Sequence, residues 1–518
     1  MKFERTKNTS RNIFFGSILK VYQIICPFII RTAMIYSLGM EYVGLNSLFA
    51  SILQVLNLTE LGVGTAMVYS MYKPIAEDDQ VKIAQLMNLY KEYYKIIGFI
   101  IAVVGLAITP IVPRLIASNS KVPLNIYVLY WINLGYTVIS YWLFAYKSSA
   151  LIAHQRNDII SKIMLVTNTI MYILQLATIV FIKNYYAYLL VLPFGQAINN
   201  IVTAIIVDKI YPEYKKGGKI DKNEQRQING RIMDLFTSKI GGVIQNSVDS
   251  IVISAFLGLT ILAKYNNYYY IMNSIFGFLI VIFNSCLAGI GNSLVTETPE
   301  KNYKDLKKIA FLTEWLAGFC VCCLFSLYQP FMKIWVGDSN LLPIGVVCCI
   351  CIYTYILITN QMLCLYKDAS GIWHADRYRP LITAMINLVL NLLLVNFWGL
   401  YGVVLSTVIS MLFVGMPWLI HNIFSEVFHR KSTFFVYDII SYALIWIGIS
   451  FLNFLICGLI QDNGILTFLL KIVICTIIPN TIYFLIYKDR RIFKEAMCLV
   501  NKMTNNRLNK IPVIKKII

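Results

Sequence analysis

Apolar runs long enough to cross a bilayer recur along almost the whole of this chain, and the polar breaks between them are short. A spanning helix needs about 20 apolar residues. Hydropathy and charge breaks give fourteen candidate spans, near 12–37, 42–71, 93–115, 123–148, 158–182, 185–208, 231–257, 260–291, 307–335, 341–366, 379–397, 400–423, 433–459 and 464–487. Lipid offers no partner to a free backbone amide, so such runs fold as helices, and the expected class is an all-α polytopic membrane protein. With 58% hydrophobic and 14% charged residues, the 518-residue chain lies outside the range of soluble domains. The first run begins like a secretory signal. Lys20, Pro27 and Arg31 interrupt it and no small-residue cleavage site follows, so it reads as a retained span.

In a soluble protein a net charge of +19 would suggest nucleic acid. Here the excess follows topology. Of 45 Lys and Arg, 36 fall on one set of ends and loops, four on the other (Arg114, Lys121, Lys183, Lys333) and five within spans (Lys20, Arg31, Lys239, Lys264, Lys471). The positive-inside rule then puts both termini in the cytoplasm, with basic loops that attract anionic lipid. The outer connections are about ten residues or fewer, leaving no outer domain for a catalytic site. The twelve cysteines lie mostly inside apolar runs, without the spacing or His and carboxylate support of a metal site, and read as packing. Three inner segments carry their own expectations. Residues 74–91 read as a polar turn and an interfacial amphipathic helix, 211–231 as a flexible linker, and the tail with Ile492, Phe493, Met497, Val500 and Met503 as a helix on the inner leaflet.

The first span has an echo 219 positions later, where 235–258 places Lys239 on Lys20 and Leu257-Gly258 on Leu38-Gly39. Asn168 and Asn387 repeat at the same offset, Arg156 matches Arg377, Leu61-Gly62-Val63-Gly64 resembles Ala288-Gly289-Ile290-Gly291, and Lys82-Ile83-Ala84 recurs as Lys308-Ile309-Ala310. Together these support two repeats of six spans in the same orientation, with spans thirteen and fourteen added. The expected domains are 1–210, a linker at 211–230, 231–425, two further helices at 426–487 and a basic tail at 488–518.

Charges inside the membrane are expensive, about 2.5–3.5 kcal/mol at a helix centre, so each needs a reason. Lys20 and Arg31, 11 residues apart, fall within about 20° of one face and ~16 Å along one helix. On span two, Asn46, Asn57 and Glu60 cluster within about 60°. On span seven Lys239 and Asn246 share a face and Asp249 follows, and span eight opens with Lys264, Asn266, Asn267 and Tyr268. Polar stripes at matching places in both repeats suit a hydrated cleft. Other readings stay open: Lys20 and Lys239 snorkelling to headgroups, Glu60 tying its helix to a cation or binding a coupling ion, Lys264 at the outer interface, and the tyrosines as an aromatic belt. Lys471 and Asp438 are expected to bond each other or snorkel. Pro27 is the hinge candidate, because proline removes a helical hydrogen bond. The four histidines (His154, His374, His421, His429) fall on inner loops or span ends, and no P-loop occurs. Neither a catalytic residue, nor a metal ligand, nor a nucleic-acid partner is expected.

The run 38–49 (LGMEYVGLNSLF), then Glu60-Leu61-Gly62-Val63-Gly64-Thr65-Ala66 and Tyr72-Lys73-Pro74, resembles the polysaccharide-biosynthesis flippases of the Wzx type. Asp249-Ser250-Ile251-Val252-Ile253-Ser254, Leu257-Gly258, Tyr265-Asn266-Asn267-Tyr268, Gly291-Asn292 and 376–382 (DRYRPLI) extend the likeness over nearly the whole chain. These flippases sit in the multidrug/oligosaccharidyl-lipid/polysaccharide (MOP) exporter superfamily, beside the murein-precursor flippases and the MATE drug exporters. The resemblance implies two six-helix lobes in a V with two extra helices. It also implies transfer of undecaprenyl-diphosphate-linked oligosaccharide from the inner to the outer leaflet of the bacterial cytoplasmic membrane, for capsule, O-antigen or exopolysaccharide. On that reading Lys20, Arg31, Lys239 and Lys264 contact the diphosphate, and Asn46, Asn57, Asn246, Asn266, Asn267 and Tyr268 line the sugar cavity. Glu60 and Asp249 couple an ion, proton or sodium, with no cofactor. A polymerase and glycosyltransferases are the expected protein partners. The alternatives are a MATE-like cation-coupled drug antiporter, a murein-precursor flippase and, least suited to the short outer loops, a membrane glycosyltransferase or polymerase.

Overall fold

The computed structural model describes residues 5–117, 123–461 and 464–503, and the regular structure among them is helical throughout. Among the described residues twelve helices are long and apolar enough to cross a membrane, or thirteen when Ile126–Trp142 and Ala145–Ala153, bent by 46°, count as one broken span. The longest of them, Trp373–Phe428, is interrupted at Gly399 (φ 54°, ψ −132°), where the sequence divides spans eleven and twelve. The protein is an all-α, multi-pass membrane protein.

The chain divides into two compact units, Met1–Asn266 and Asn267–Ile518. The first holds α1 (Arg5–Ser37), α2 (Met40–Leu56), α3 (Val63–Ala76), α4 (Gln80–Ile108), α5 (Ile126–Trp142), α6 (Ser148–Ala153), α7 (Asn157–Ala177), α8 (Tyr185–Ile210), α9 (Lys222–Leu257) and the first turns of α10 (Leu259–Thr296). The second holds the rest of α10, then α11 (Pro299–Val336), α12 (Ile344–Ser370), the short α13 (Trp373–Asp376), α14 (Arg379–Ser410), α15 (Met416–Ile423), α16 (Thr433–Gly458), α17 (Ile465–Tyr487) and α18 (Arg491–Met503).

In the first unit α2 packs against both α1 and α9. Leu45, Leu48, Phe49 and Ile52 recur at i, i+3, i+4 and i+7 and are buried, with Phe49 against Tyr130 of α5 at 6.2 Å between ring centroids. Gly44 lets backbones touch, since a Cβ there would lie 2.0 Å from the carbonyl oxygen of Leu259. In the second unit α11 is the central helix, packed by α12, α16, α17 and α18.

Four local expectations are corrected. Residues 80–91 are not a separate interfacial helix: Asp79 caps α4 by accepting from Lys82 N at 2.9 Å, and the helix runs unbroken to Ile108. Its apolar face (Ile83, Ala84, Leu86, Met87) is buried in protein. The 211–231 stretch is not a free linker either. After a 3-10 turn at Pro212–Lys216 and two positive-φ glycines, Asp221 caps α9, and the segment is tied to α4. Asn88 donates to Gly218 O at 3.0 Å, Tyr93 to Asn229 Oδ1 at 2.6 Å, and Lys82 pairs with Glu224. The amphipathic α18 turns its apolar face to α11, burying Phe493 and Ala496 beside Phe311, Trp315 and Tyr483. The Met503 side chain and residues 504–518 lie outside the described residues. Finally, Asp438 pairs with Lys307 at 2.7 Å, not with Lys471, which is buried in α17.

Each unit has one buried aspartate ringed by cations. In the first, Asp158 at the start of α7 accepts from Arg11 Nη2 (2.7 Å) and Arg156 Nε (3.0 Å), with Lys162 at 3.8 Å, which ties α1 to α7. In the second, Asp376 accepts from Arg379 Nε (2.6 Å) and Nη2 (2.8 Å) and from Asn422 (3.2 Å), with Lys367 at 3.7 Å. The two aspartates are 218 positions apart, one residue from the offset found in the sequence.

Candidate functional site

Helix α1 carries Lys20 and Arg31 on one unbroken run that continues through Pro27, so the spacing expected of an ideal helix applies. Both side chains are half-buried. Lys239 is exposed near the middle of α9. Among the described residues neither Lys20 nor Lys239 has a carboxylate partner, unlike Lys82, Lys147 and Lys307, which do. Lys264 is half-buried on α10. All four cations belong to the unit Met1–Asn266, in which α2 touches the helices of Lys20, Arg31 and Lys239.

The polar set separates. Asn46 on α2 and Asn266 on α10 are half-buried, and the side chain of Asn246 lies outside the described residues. Asp249 is buried in α9, away from the exposed surroundings of Lys239. Tyr268 and Asn267 have no exposed surface. The Tyr268 hydroxyl donates to Gln329 Oε1 (2.8 Å) and accepts from Leu342 N (3.2 Å), while Tyr328 donates to its carbonyl (3.1 Å). A phenol with both functions engaged and no open face cannot meet a sugar, so Tyr268 and Asn267 are packing residues in this structure.

Glu60 does not continue the Asn46 stripe. Helix α2 ends at Leu56, a 3-10 turn covers Asn57–Glu60, and Gly62 adopts φ 88°. Gly62 serves two purposes there: the left-handed φ, and close approach of α9, since a Cβ would lie 2.7 Å from Leu235 Cβ and 2.9 Å from Ile232 O. The break turns Glu60 toward α4 and α5. Tyr94 donates to its Oε1 at 2.7 Å, Tyr141 to its Oε2 at 3.1 Å and to Asn57 Oδ1 at 3.2 Å, and Tyr90 donates to Tyr94 at 2.7 Å. The partners are phenols and not a cation. Tyr90 and Tyr94, one turn apart in α4, were the available signal in the sequence.

The second unit buries further polar side chains that the expected site did not include. Asn387 donates to Thr407 (3.0 Å) and Ser406 bonds Asn391, which links the two halves of α14, and Thr359 donates to Glu314 Oε1 (2.8 Å). No group of three His, Cys, Asp or Glu side chains suited to a metal occurs among the described residues.

The family model for polysaccharide biosynthesis proteins matches residues 9–288, just over half of the chain. None of the curated protein sequences matches. Among solved structures, the inward-closed lipid II flippase MurJ superposes with a TM-score of 0.65 at 15% identity, covering 92% of this chain and 99% of that one. An inward-facing multidrug-resistance MATE transporter of the MOP superfamily gives 0.58 at 12% identity, covering 78% and 97%. A MOP-superfamily transporter from Pyrococcus furiosus, described by the reversed polarity of its binding pocket, gives 0.52 at 13% identity, covering 82% and 97%. At such identities the likeness establishes the fold alone, while the family match stands on sequence. This chain belongs to the polysaccharide biosynthesis protein family and has the fold of the MOP-superfamily membrane transporters.

Proposed function

We propose that this protein is a flippase that carries an undecaprenyl-diphosphate-linked oligosaccharide from the inner to the outer leaflet of a bacterial cytoplasmic membrane, for surface polysaccharide. The observation that carries the reading is the pair Lys20 and Lys239: two ammonium groups on membrane helices without a carboxylate partner among the described residues. Unbalanced cations at that depth are costly unless an anion visits them. A diphosphate is such an anion, and charge-assisted bonds to it are strong where water is scarce. Arg31 suits a two-pronged phosphate contact, Lys20 and Lys239 act as point charges, and Lys264 extends the set. Asn46, Asn57 and Asn266, with Asn246 by its position on α9 alone, are assigned to sugar hydroxyls.

Transport runs by alternating access, with Pro27 as the flexible point of α1 and a proton or sodium gradient as the energy source, bound at Asp249 or at Glu60. The substrate must bind the two access states differently to shift them. Two six-span repeats, at 1–210 and 231–425, carry the cycle, with 426–487 as an addition and both termini cytoplasmic. A polymerase and glycosyltransferases act beside it. A drug antiporter reading is weaker, because a site for organic cations needs carboxylates where this chain offers ammonium groups.

The test is complementation of a strain lacking this protein, scoring surface polymer and protein level together. Arg31→Gln and Lys239→Gln are each expected to abolish export at normal protein level. Unimpaired export in both overturns the proposal.

A further inference from the structure

Glu314 sits in α11 with no exposed surface. Its Oε1 accepts from Thr359 Oγ1 at 2.8 Å, its Oε2 is buried, and the Tyr355 hydroxyl also interacts with the carboxyl. Among the described residues the groups brought to that part of α11 are hydroxyls, phenols and apolar side chains, with Asp438 of α16 beyond Tyr442 and Tyr487. Helix α12 contributes Tyr355 and Thr359, α16 contributes Tyr442, α17 contributes Tyr483 and Tyr487, and α18 contributes Phe493 and Ala496. On α11 itself the nearest charges, two turns away, are already paired: Lys307 with Asp438, and Lys308 with Asp305 at 2.9 Å. A carboxylate here would be a buried charge without compensation, a cost of several kcal/mol, whereas an un-ionised acid carries no such cost.

The same two side chains that meet the carboxyl also wall a cavity. A space of about 450 Å³ opens beside α12, lined by Cys351, Tyr355, Thr359, Met416, Trp446 and Phe451. One layer of side chain therefore separates Glu314 from a space open to the outside of the unit. The Tyr355 hydroxyl is buried and faces the Glu314 carboxyl. With Thr359 it supplies the hydroxyls able to relay a proton between the carboxyl and that space.

We propose that Glu314 is a proton-binding site of the second unit, holding its proton while α11 and α12 are packed and releasing it past Tyr355 and Thr359 when they part. The balance is simple: the acid O–H breaks, the proton passes to water that enters between α11 and α12 as they part, and the carboxylate is then solvated in that gap. Ionisation and closed packing exclude each other, so a proton gradient acts on this contact directly. The proposal adds a carboxyl outside the cation set and does not depend on what cargo is carried.

The experiment uses the full chain in lipid nanodiscs and dicyclohexylcarbodiimide, a lipid-soluble reagent that couples to un-ionised carboxylic acids. Peptide mass mapping is expected to find the adduct on Glu314, with a yield that falls about ten-fold or more as pH rises through the titration of the acid. Glu314→Gln should lose the adduct. Thr359→Val, which removes the hydrogen bond and keeps the acid, should retain it and move the pH at which it disappears. No adduct on folded wild-type protein at any pH, or an adduct independent of pH, overturns the proposal. So does an unmoved pH dependence in Thr359→Val.

Discussion

Replacing Tyr94 with phenylalanine tests how Glu60 is held. The bond from Tyr94 to Glu60 Oε1 is short, 2.7 Å, and undivided. A hydrogen bond to a charged group contributes about 1.5–3 kcal/mol. The change also takes from Tyr90 the acceptor it reaches at 2.7 Å, worth about 1 kcal/mol more. The Tyr141 proton is divided between Glu60 Oε2 at 3.1 Å and Asn57 Oδ1 at 3.2 Å, so Tyr141→Phe should cost only about 1 kcal/mol. Glu60→Gln falls between these, since it keeps one acceptor oxygen and turns an amine toward the other phenol. Glu60→Ala, which leaves the Tyr94 phenol without an acceptor and Tyr141 with Asn57 alone, is the worst. Thermal unfolding of purified protein in detergent reads this order directly. Tyr141→Phe as damaging as Tyr94→Phe, or a wild-type Tm in Glu60→Gln, would refute the clasp and leave Glu60 free for ion binding alone.

Gly318→Ala places a Cβ 2.0–2.2 Å from three atoms of the Trp446 ring, an overpacking of about 1–3 kcal/mol. In a double-mutant cycle with Trp446→Ala the second alanine should cost almost nothing, and additive losses would count against this contact. Arg379→Lys exchanges the two-pronged contact to Asp376 (2.6 and 2.8 Å) for one, and should lower Tm more than Lys367→Ala, whose ammonium lies at 3.7 Å. Equal losses would sink that ranking. His154, buried after α6, uses Nδ1 toward Ala150 O (2.8 Å) and Nε2 toward Tyr214 (3.1 Å), and burial lowers its pKa below the ordinary 6.5 although Asp78 opposes this. The unfolded chain therefore takes up the proton first, so this contribution is complete above about pH 6.5 and is lost as pH falls below it. His154→Phe should flatten the decline of Tm between about pH 7 and pH 5, and an unchanged slope would exclude His154 as its source.

What the sequence reveals here is whatever depends on long-range hydropathy. The all-helical membrane class and the break at Gly399 follow from where apolar runs start and stop. Asp158 and Asp376, 218 positions apart, are both ringed by cations. Which surface covers an amphipathic face is not local information. Ile83 and Met87, or Phe493 and Ala496, show the same periodicity whether lipid or protein receives them, and protein receives them here. The fate of Glu60 turned on a local break: α2 ends at Leu56, and the 3-10 turn over Asn57–Glu60 gives up the helical register that would have set the carboxyl beside Asn46. Tyr268 failed as a cavity residue for a similar reason: its partners Gln329 and Leu342 lie more than 60 positions away. The cations were simpler, since Lys20 and Arg31 share a single helix and need no tertiary contact to be aligned.

The most direct measurement is the affinity of the purified protein for a polyprenyl diphosphate against the matching polyprenyl monophosphate, in wild type and in Lys20→Gln, Arg31→Gln and Lys239→Gln. If these cations grip a diphosphate, wild type prefers the diphosphate, and each variant loses about 1.5–3 kcal/mol, roughly ten- to hundred-fold, with the preference shrinking in step. Equal affinity for the two lipids, or full diphosphate binding in all three variants, would contradict a phosphate role for this part of the membrane domain.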